Sequence, residues 1–177
     1  MKKIFIALIC MMLPLMTLAE ANPSQERLLV HMKTGLKHDD AQICVAYNVI
    51  WAGLRSGLKV DVLVDADAIN TFKTGWTSEK DSIQDYDIPE NLREAMASQF
   101  KIDLDVVPKT YGDFLKTLHK EGATFYINKG FLIVSKIAEQ PDKDLGSIAG
   151  YAAKIFKPVS LLEMVELRRK ATFDYTF

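Results

Sequence analysis

The chain has 177 residues, of which 49% are hydrophobic, and this composition supports one folded domain with a substantial apolar core. Lys and Arg number 22 against 23 Asp and Glu, so the formal net charge is only −1. This balance argues against a basic nucleic-acid surface or a polybasic membrane patch. We therefore expect the mature chain to bind neither nucleic acid nor a membrane.

Residues 1–21 are predicted to be a signal peptide. Two lysines precede an almost wholly apolar run at residues 4–18, and Ala19-Glu20-Ala21 supplies the small-x-small pattern that signal peptidase requires. The run is shorter than the roughly 20 residues of a membrane-spanning helix. Cleavage after Ala19 or Ala21 would leave one domain, residues 22–177, in the periplasm, with secretion as the alternative.

The mature chain is predicted to contain a single thiol. Of the two cysteines, Cys10 lies in the signal peptide, which leaves Cys44 without an intrachain disulfide partner. A lone thiol in an oxidising compartment is either buried and inert or exposed and functional. Burial is favoured, because free cysteine is among the most buried residue types.

The first elements predict a parallel βαβ unit. An apolar strand at residues 27–32 and a polar loop precede a helix, which begins at the cap Asp39 and ends near Ser56 before a left-handed Gly57. A second strand occupies residues 59–65. A crossover of this length makes the two strands parallel and the connection right-handed.

The rest of the chain continues the alternation of helices and strands. Helices are predicted at residues 67–73, 89–100, 110–121, 131–137 and from the capping box at 160–163, with strands at 123–127, near 154–156 and at 172–176. Residues 74–88 are predicted to be a polar surface excursion. The pattern predicts an α/β fold, a three-layer α/β/α sandwich around a mostly parallel five-stranded sheet.

Three segments carry a resemblance to a known family. They are the first strand with its polar loop, the stretch from Gly57 to Ala68, and the stretch from Phe156 through the last helix and strand. In order and spacing they resemble the DsrE/DsrF-like family, which is known for sulfur relay. The resemblance implies a flavodoxin-like sandwich and a homo-oligomer, either a trimer or a hexamer.

The resemblance also implies a reactive cysteine just after a central strand. The matching stretch here, residues 124–130, reads Thr-Phe-Tyr-Ile-Asn-Lys-Gly, so Asn128 stands where the thiol would be. An asparagine side chain cannot carry a persulfide. The resemblance therefore supports the fold and leaves the family's chemistry without its nucleophile.

Cys44 is the candidate for a relocated catalytic thiol. It lies one turn inside the first helix, and a thiol near a helix N-terminus has a lowered pKa. The alternative is a packing cysteine beside Asn48 and Trp51.

The candidate ligand-binding residues lie at the carboxyl ends of the strands, where such folds bind ligands. We predict that this edge binds a small anion or sulfur species, such as sulfite, thiosulfate or phosphate, the alternative being a solvated turn. The residues assigned to it are Lys37, His38, Asp39, Asp67, Asn128 and Lys129.

No cofactor or metal is expected. The chain lacks a G-x-G-x-x-G pattern, so a nucleotide cofactor is disfavoured. His38, Asp39 and Asp40 lie near Cys44 in sequence, but Asp39 is already explained as a helix cap and no second close ligand pair exists.

Three functions follow from these observations. The leading one is an exported, non-catalytic or weakly active binding protein linked to sulfur metabolism. The second is a sulfur carrier or sulfurtransferase that uses Cys44. The third is a structural subunit of a periplasmic complex, with the segment from Gly75 to Pro89 as its contact.

Overall fold

The computed structural model describes residues 25–75, 83 and 86–177; the predicted signal peptide and most of the predicted excursion lie outside these residues. Five strands form one parallel sheet in the order β4-β3-β2-β1-β5. The strands are β1 Arg27–Met32, β2 Lys59–Val64, β3 Thr124–Asn128, β4 Lys157–Val159 and β5 Phe173–Thr176.

Helices connect the strands. The α-helices are α1 Asp40–Arg55, α2 Glu90–Phe100, α3 Tyr111–Lys120, α4 Lys129–Val134, α5 Ala152–Ile155 and α6 Leu161–Lys170. In the described part of the chain, 3-10 helices lie at Ala66–Phe72 and Leu104–Val106. Within the described part of the chain, no helix is both long enough and apolar enough to cross a bilayer.

Local capping sets the bounds of α1 and α6. The Asp39 carboxylate accepts hydrogen bonds from the Ala41 and Gln42 backbone N–H groups, so α1 begins where the sequence predicts. Gly57 follows α1 with a φ of +79°, a conformation that glycine adopts without strain. Ser160 and Glu163 form the predicted reciprocal capping box of α6.

The two faces of the sheet are covered unequally. On one face, alternate strand residues such as Val30, Val62 and Phe125 pack with α1, α2 and α3 in the main apolar core. On the other, Leu29, Leu63 and Val159 form a small cluster against α6. The predicted three-layer sandwich is confirmed, with one layer much thinner than the other.

The predicted strand near residues 154–156 is wrong. Lys154 and Ile155 belong to α5, Phe156 is the C-cap of that helix, and the fifth strand of the sheet, β4, begins at Lys157 instead. A short apolar run does not distinguish a buried helix from a strand, and here Ile155 enters the main core from a helix. Pro158 is tolerated in β4 because this strand lies at the edge of the sheet.

Gly146 is expected to contribute more to the stability of the fold than other glycines with a positive φ. Its φ is +61°, and a Cβ at this position would lie 1.9 Å from the carbonyl oxygen of Ile137. Gly57 has a similar φ but open space around it, so it serves as a matched control. We expect Gly57→Ala to destabilise the fold by about 1 kcal/mol and Gly146→Ala by about 1–3 kcal/mol more, measured by urea unfolding. Equal losses of stability in the two variants would contradict the close contact between a Cβ at position 146 and the carbonyl oxygen of Ile137.

Candidate functional site

A single carboxylate joins the carboxyl ends of the three central strands. Asp65 directly follows β2, and its Oδ1 accepts hydrogen bonds from Asn128 Nδ2 at 2.6 Å and from the Ala66 N–H at 2.7 Å. Its Oδ2 lies 3.1 Å from His31 Nε2. His31 lies in β1 and Asn128 ends β3, so the strand order β3-β2-β1 brings the three residues together.

The environment of Asp65 favours its ionised form. The hydrogen bond from His31 is the largest effect, and burial opposes it, while Asn128 and the Ala66 N–H add further stabilisation of the charge. Together they lower the pKa of Asp65 to about 2. The side chain is only 15% exposed, so this is a largely buried anion held by donors from two strands, β1 and β3, and from the turn that follows β2.

His31 extends this junction to the end of the chain. Arg168 Nη2 lies 2.7 Å from His31 Nδ1, and Arg168 Nε lies 3.0 Å from Asp174 Oδ2. A guanidinium only donates hydrogen bonds, so Nδ1 accepts and the ring proton lies on Nε2, facing Asp65. One chain of hydrogen bonds thus links β3, β2 and β1 with α6 and β5.

Asn128 is occupied within the fold. Besides donating to Asp65, it caps α4, because its Oδ1 accepts a hydrogen bond from the Phe131 N–H at 3.2 Å. The residue is only 8% exposed. Its predicted role as a ligand-binding residue stays a prediction, but both ends of its amide already have protein partners.

The exposed part of the strand-end edge is an aspartate–histidine pair. Asp67 Oδ2 accepts a hydrogen bond from His38 Nδ1 at 2.5 Å, although the two residues are 29 positions apart. The His38 side chain is 67% exposed. Because a carboxylate only accepts, the neutral ring carries its proton on Nδ1, which leaves Nε2 as the nitrogen available to a ligand.

Asp67 is itself fixed by its neighbours. Gly35 N–H donates to Oδ2 at 3.0 Å and Asn70 Nδ2 donates to Oδ1 at 3.0 Å. Burial disfavours the charge on Asp67, but the hydrogen bonds from Asn70 and His38 outweigh it and lower the pKa of the carboxyl. A Cβ on Gly35 would lie 2.2 Å from Asp67 Oδ2, so this close approach requires glycine.

The other predicted binding residues have different surroundings. Lys37 is exposed in the loop that carries His38. Asp39 caps α1, and Lys129 Nζ lies 2.5 Å from Asp142 Oδ2 in a partly exposed ion pair. The structure therefore brings His38 and Asp67 together, whereas Asp39 and Lys129 have partners within the fold.

Cys44 lies near the start of α1, on the side of the helix that faces α2. It is 6% exposed, at the wall of a cleft of about 170 Å³ between the two helices. Burial raises the pKa of the thiol, and this effect outweighs the hydrogen bonds from Tyr111 and Asn48 that lower it. The raised pKa and the burial support the packing interpretation, and the assignment of Cys44 as a catalytic thiol stays a prediction.

The described residues contain no cluster of side chains that could form a metal centre. No group of three or more His, Cys, Asp or Glu side chains in residues 25–75, 83 and 86–177 comes close enough to share an ion.

Sequence reasoning missed the interior half of the site. His31, Asp65 and Arg168 were not among the predicted binding residues, yet they connect the strand ends. The available signal was the single histidine among the otherwise apolar, buried residues 28–32 of β1, since a buried polar group needs a hydrogen-bond partner.

We expect Asp65 to make the free energy of unfolding depend on pH in the acidic range. A lowered pKa in the folded state means that its stabilising effect is present above about pH 4 and is lost as the pH falls toward 2. We expect Asp65→Asn to lose on the order of 2 kcal/mol at neutral pH, with the difference from wild type shrinking below about pH 4. Urea unfolding as a function of pH measures this, with the exposed Asp103→Asn as the control. A difference that does not change with pH would contradict the prediction.

Cys44 is expected to react slowly in the folded protein. Burial and a raised pKa both reduce the amount of accessible thiolate, which is the reactive form. Alkylation followed by mass spectrometry should show slow modification in native buffer and rapid modification in urea. Similar rates under both conditions would show that the thiol is accessible.

Comparison with known proteins supports the fold. The structure is similar to the crystal structure of the ychN protein from E. coli, with a TM-score of 0.50 and 14% sequence identity. The match covers 86% of this chain and 99% of that one. No protein-family model and no curated protein matches the sequence. The five-stranded parallel sheet and this likeness establish an α/β fold of the DsrE-like, flavodoxin-like type.

Proposed function

We propose that the protein is an exported, non-catalytic binding protein that takes a small, weakly acidic sulfur species or its anion at the strand-end edge. The observation that carries this proposal is the exposed His38 imidazole, held by a fixed Asp67 carboxylate. The pair lies where folds of this type bind their ligands.

The chemistry of the pair suits a ligand that brings its own proton. With the Nδ1 proton held by Asp67, Nε2 of the neutral His38 accepts a proton from a weak acid. The resulting imidazolium lies between the Asp67 carboxylate and the ligand anion, and both contacts are charge-assisted hydrogen bonds. Bisulfite is a ligand of this kind. Lys37, exposed in the same loop, adds positive charge near the edge.

A binding role is favoured over sulfur transfer. Transfer requires an accessible nucleophile, and Asn128 provides none at the strand end. Cys44 is buried against α2 with a raised pKa, so it does not offer a thiolate to the strand-end edge.

Export and assembly are parts of the proposal that rest on the sequence. The periplasmic location rests on the signal-peptide pattern of residues 1–21, and a trimer or hexamer rests on the DsrE/DsrF-like resemblance. A structural subunit that binds partners through residues 75–89 is the alternative function; most of that segment lies outside the described residues.

Calorimetric titration with sulfite and thiosulfate tests the binding role. We expect the wild-type protein to bind at least one of them. His38→Ala should bind roughly tenfold to a hundredfold more weakly, because it removes a charge-assisted hydrogen bond.

A second histidine provides the control for this titration. His119 lies in the last turn of α3, just before β3 begins, and its Nδ1 is 2.9 Å from Tyr151 Oη. Because this is not the carboxyl end of the strands, His119→Gln should bind like the wild type. Failure of the wild type to bind either anion, or equal binding by His38→Ala, would overturn the proposal.

A further inference from the structure

The hydrogen bonds of His31 fit only the neutral form of its ring. Arg168 Nη2 donates to Nδ1 at 2.7 Å, and the proton on Nε2 faces Asp65 Oδ2 at 3.1 Å. The residue is only 8% exposed, so both contacts are made largely out of water. An imidazolium carries a proton on each nitrogen and accepts no hydrogen bond. Protonation would therefore keep the bond to Asp65 and bring two cations, the ring and the Arg168 guanidinium, into contact.

The charged groups around the ring leave the contact with α6 as the one that protonation breaks. Asp65 of β2 faces Nε2, and its pKa of about 2 keeps it ionised above about pH 4. Arg168 of α6 faces Nδ1, and its Nε bonds Asp174 of β5 at 3.0 Å. From β3 comes the uncharged Asn128, which bonds Asp65. Arg27, the other charged residue of β1, has its own ion pair with β2.

Arg168 connects the ring to two weakly buried elements, α6 and β5. No residue of α6 is buried, and the four residues of β5 are exposed. The cluster beneath α6 contains three buried residues, far fewer than the core on the other face of the sheet. Within the described sheet, β5 lies at the edge and pairs with β1 alone. Segments with few buried apolar contacts open at lower free energies than the core, so a side-chain link such as Arg168 strongly affects how often this one opens.

We propose that His31 is a proton-operated latch for the segment from α6 to β5. While the ring is neutral, Arg168 holds the last turn of α6 against β1 and positions β5 through Asp174. When the ring gains a proton, the guanidinium is released and the segment opens more often, which uncovers the apolar cluster beneath α6. Histidine is the side chain whose charge ordinarily changes between about pH 5 and 8, so the latch responds to mild acid. It does not depend on ligand binding at His38.

Hydrogen–deuterium exchange followed by mass spectrometry tests the latch. After correction for the intrinsic pH dependence of amide exchange, the opening equilibrium constant of residues 161–176 should rise roughly tenfold or more between about pH 8 and about pH 5, because a charge-assisted hydrogen bond is lost. Peptides from β2 and β3 should keep their protection. Unchanged opening of α6 and β5, or an equal rise in all strands, would overturn the proposal.

Arg168→Met separates the latch from a general effect of acid. The Arg168 side chain is 51% exposed, so this variant should fold. Without the guanidinium, α6 and β5 should open more often than in the wild type at about pH 8, and their opening should no longer depend on pH. His38→Ala and His119→Gln remove the other two histidines and are the matched controls; both should keep the wild-type pH dependence. A pH dependence that persists in Arg168→Met, or disappears in either control, would contradict the latch.

Nitrogen-15 NMR of the His31 ring reads the latch in the unaltered protein. At about pH 8, Nδ1 should show the chemical shift of an unprotonated acceptor and Nε2 that of a protonated nitrogen. As the pH falls, the Nδ1 signal should move to the protonated value in step with the opening of α6 and β5. The opposite tautomer at about pH 8, or a ring that stays neutral down to about pH 5, would overturn the proposal.

Discussion

The ionised carboxylate of Asp65 is the constraint on which the strand-end edge depends. It accepts hydrogen bonds from β1, β3 and its own following turn, and it is only 15% exposed. Removing it would leave the donors of His31 and Asn128 in a largely buried site without an acceptor, which is more destabilising than the loss of an exposed bond. Through His31 and Arg168, the same carboxylate positions α6 and the final strand.

This constraint explains the residue at position 128. Asn128 donates to Asp65 and caps α4 with the two ends of one amide. A cysteine could not make both contacts. The buried residues of this edge thus have a structural role. The exposed His38–Asp67 pair is the part of the edge that a ligand can reach. This division supports the proposed binding function.

Local signals made much of the fold predictable. The caps Asp39, Thr110 and Ser160 and the left-handed Gly57 act within a few residues, so the sequence alone indicates them. The sequence predicts the strand β4 about three residues too early, because a short apolar run shows no clear helical or strand periodicity.

Contacts between distant residues could not be predicted in the same way. His31 and Arg168 are 137 positions apart and meet only because α6 crosses the face of β1. The burial of Cys44 is likewise decided by α2, a separate element.

The most direct test of a binding site without sulfur transfer is the intact mass of the folded protein after exposure to polysulfide, beside a Cys44→Ser variant. The account predicts that neither protein gains sulfur in native buffer, because no accessible thiolate is present at the strand-end edge. A gain of one or more sulfur atoms on the wild type, lost in the variant, would contradict it and identify Cys44 as a sulfur carrier.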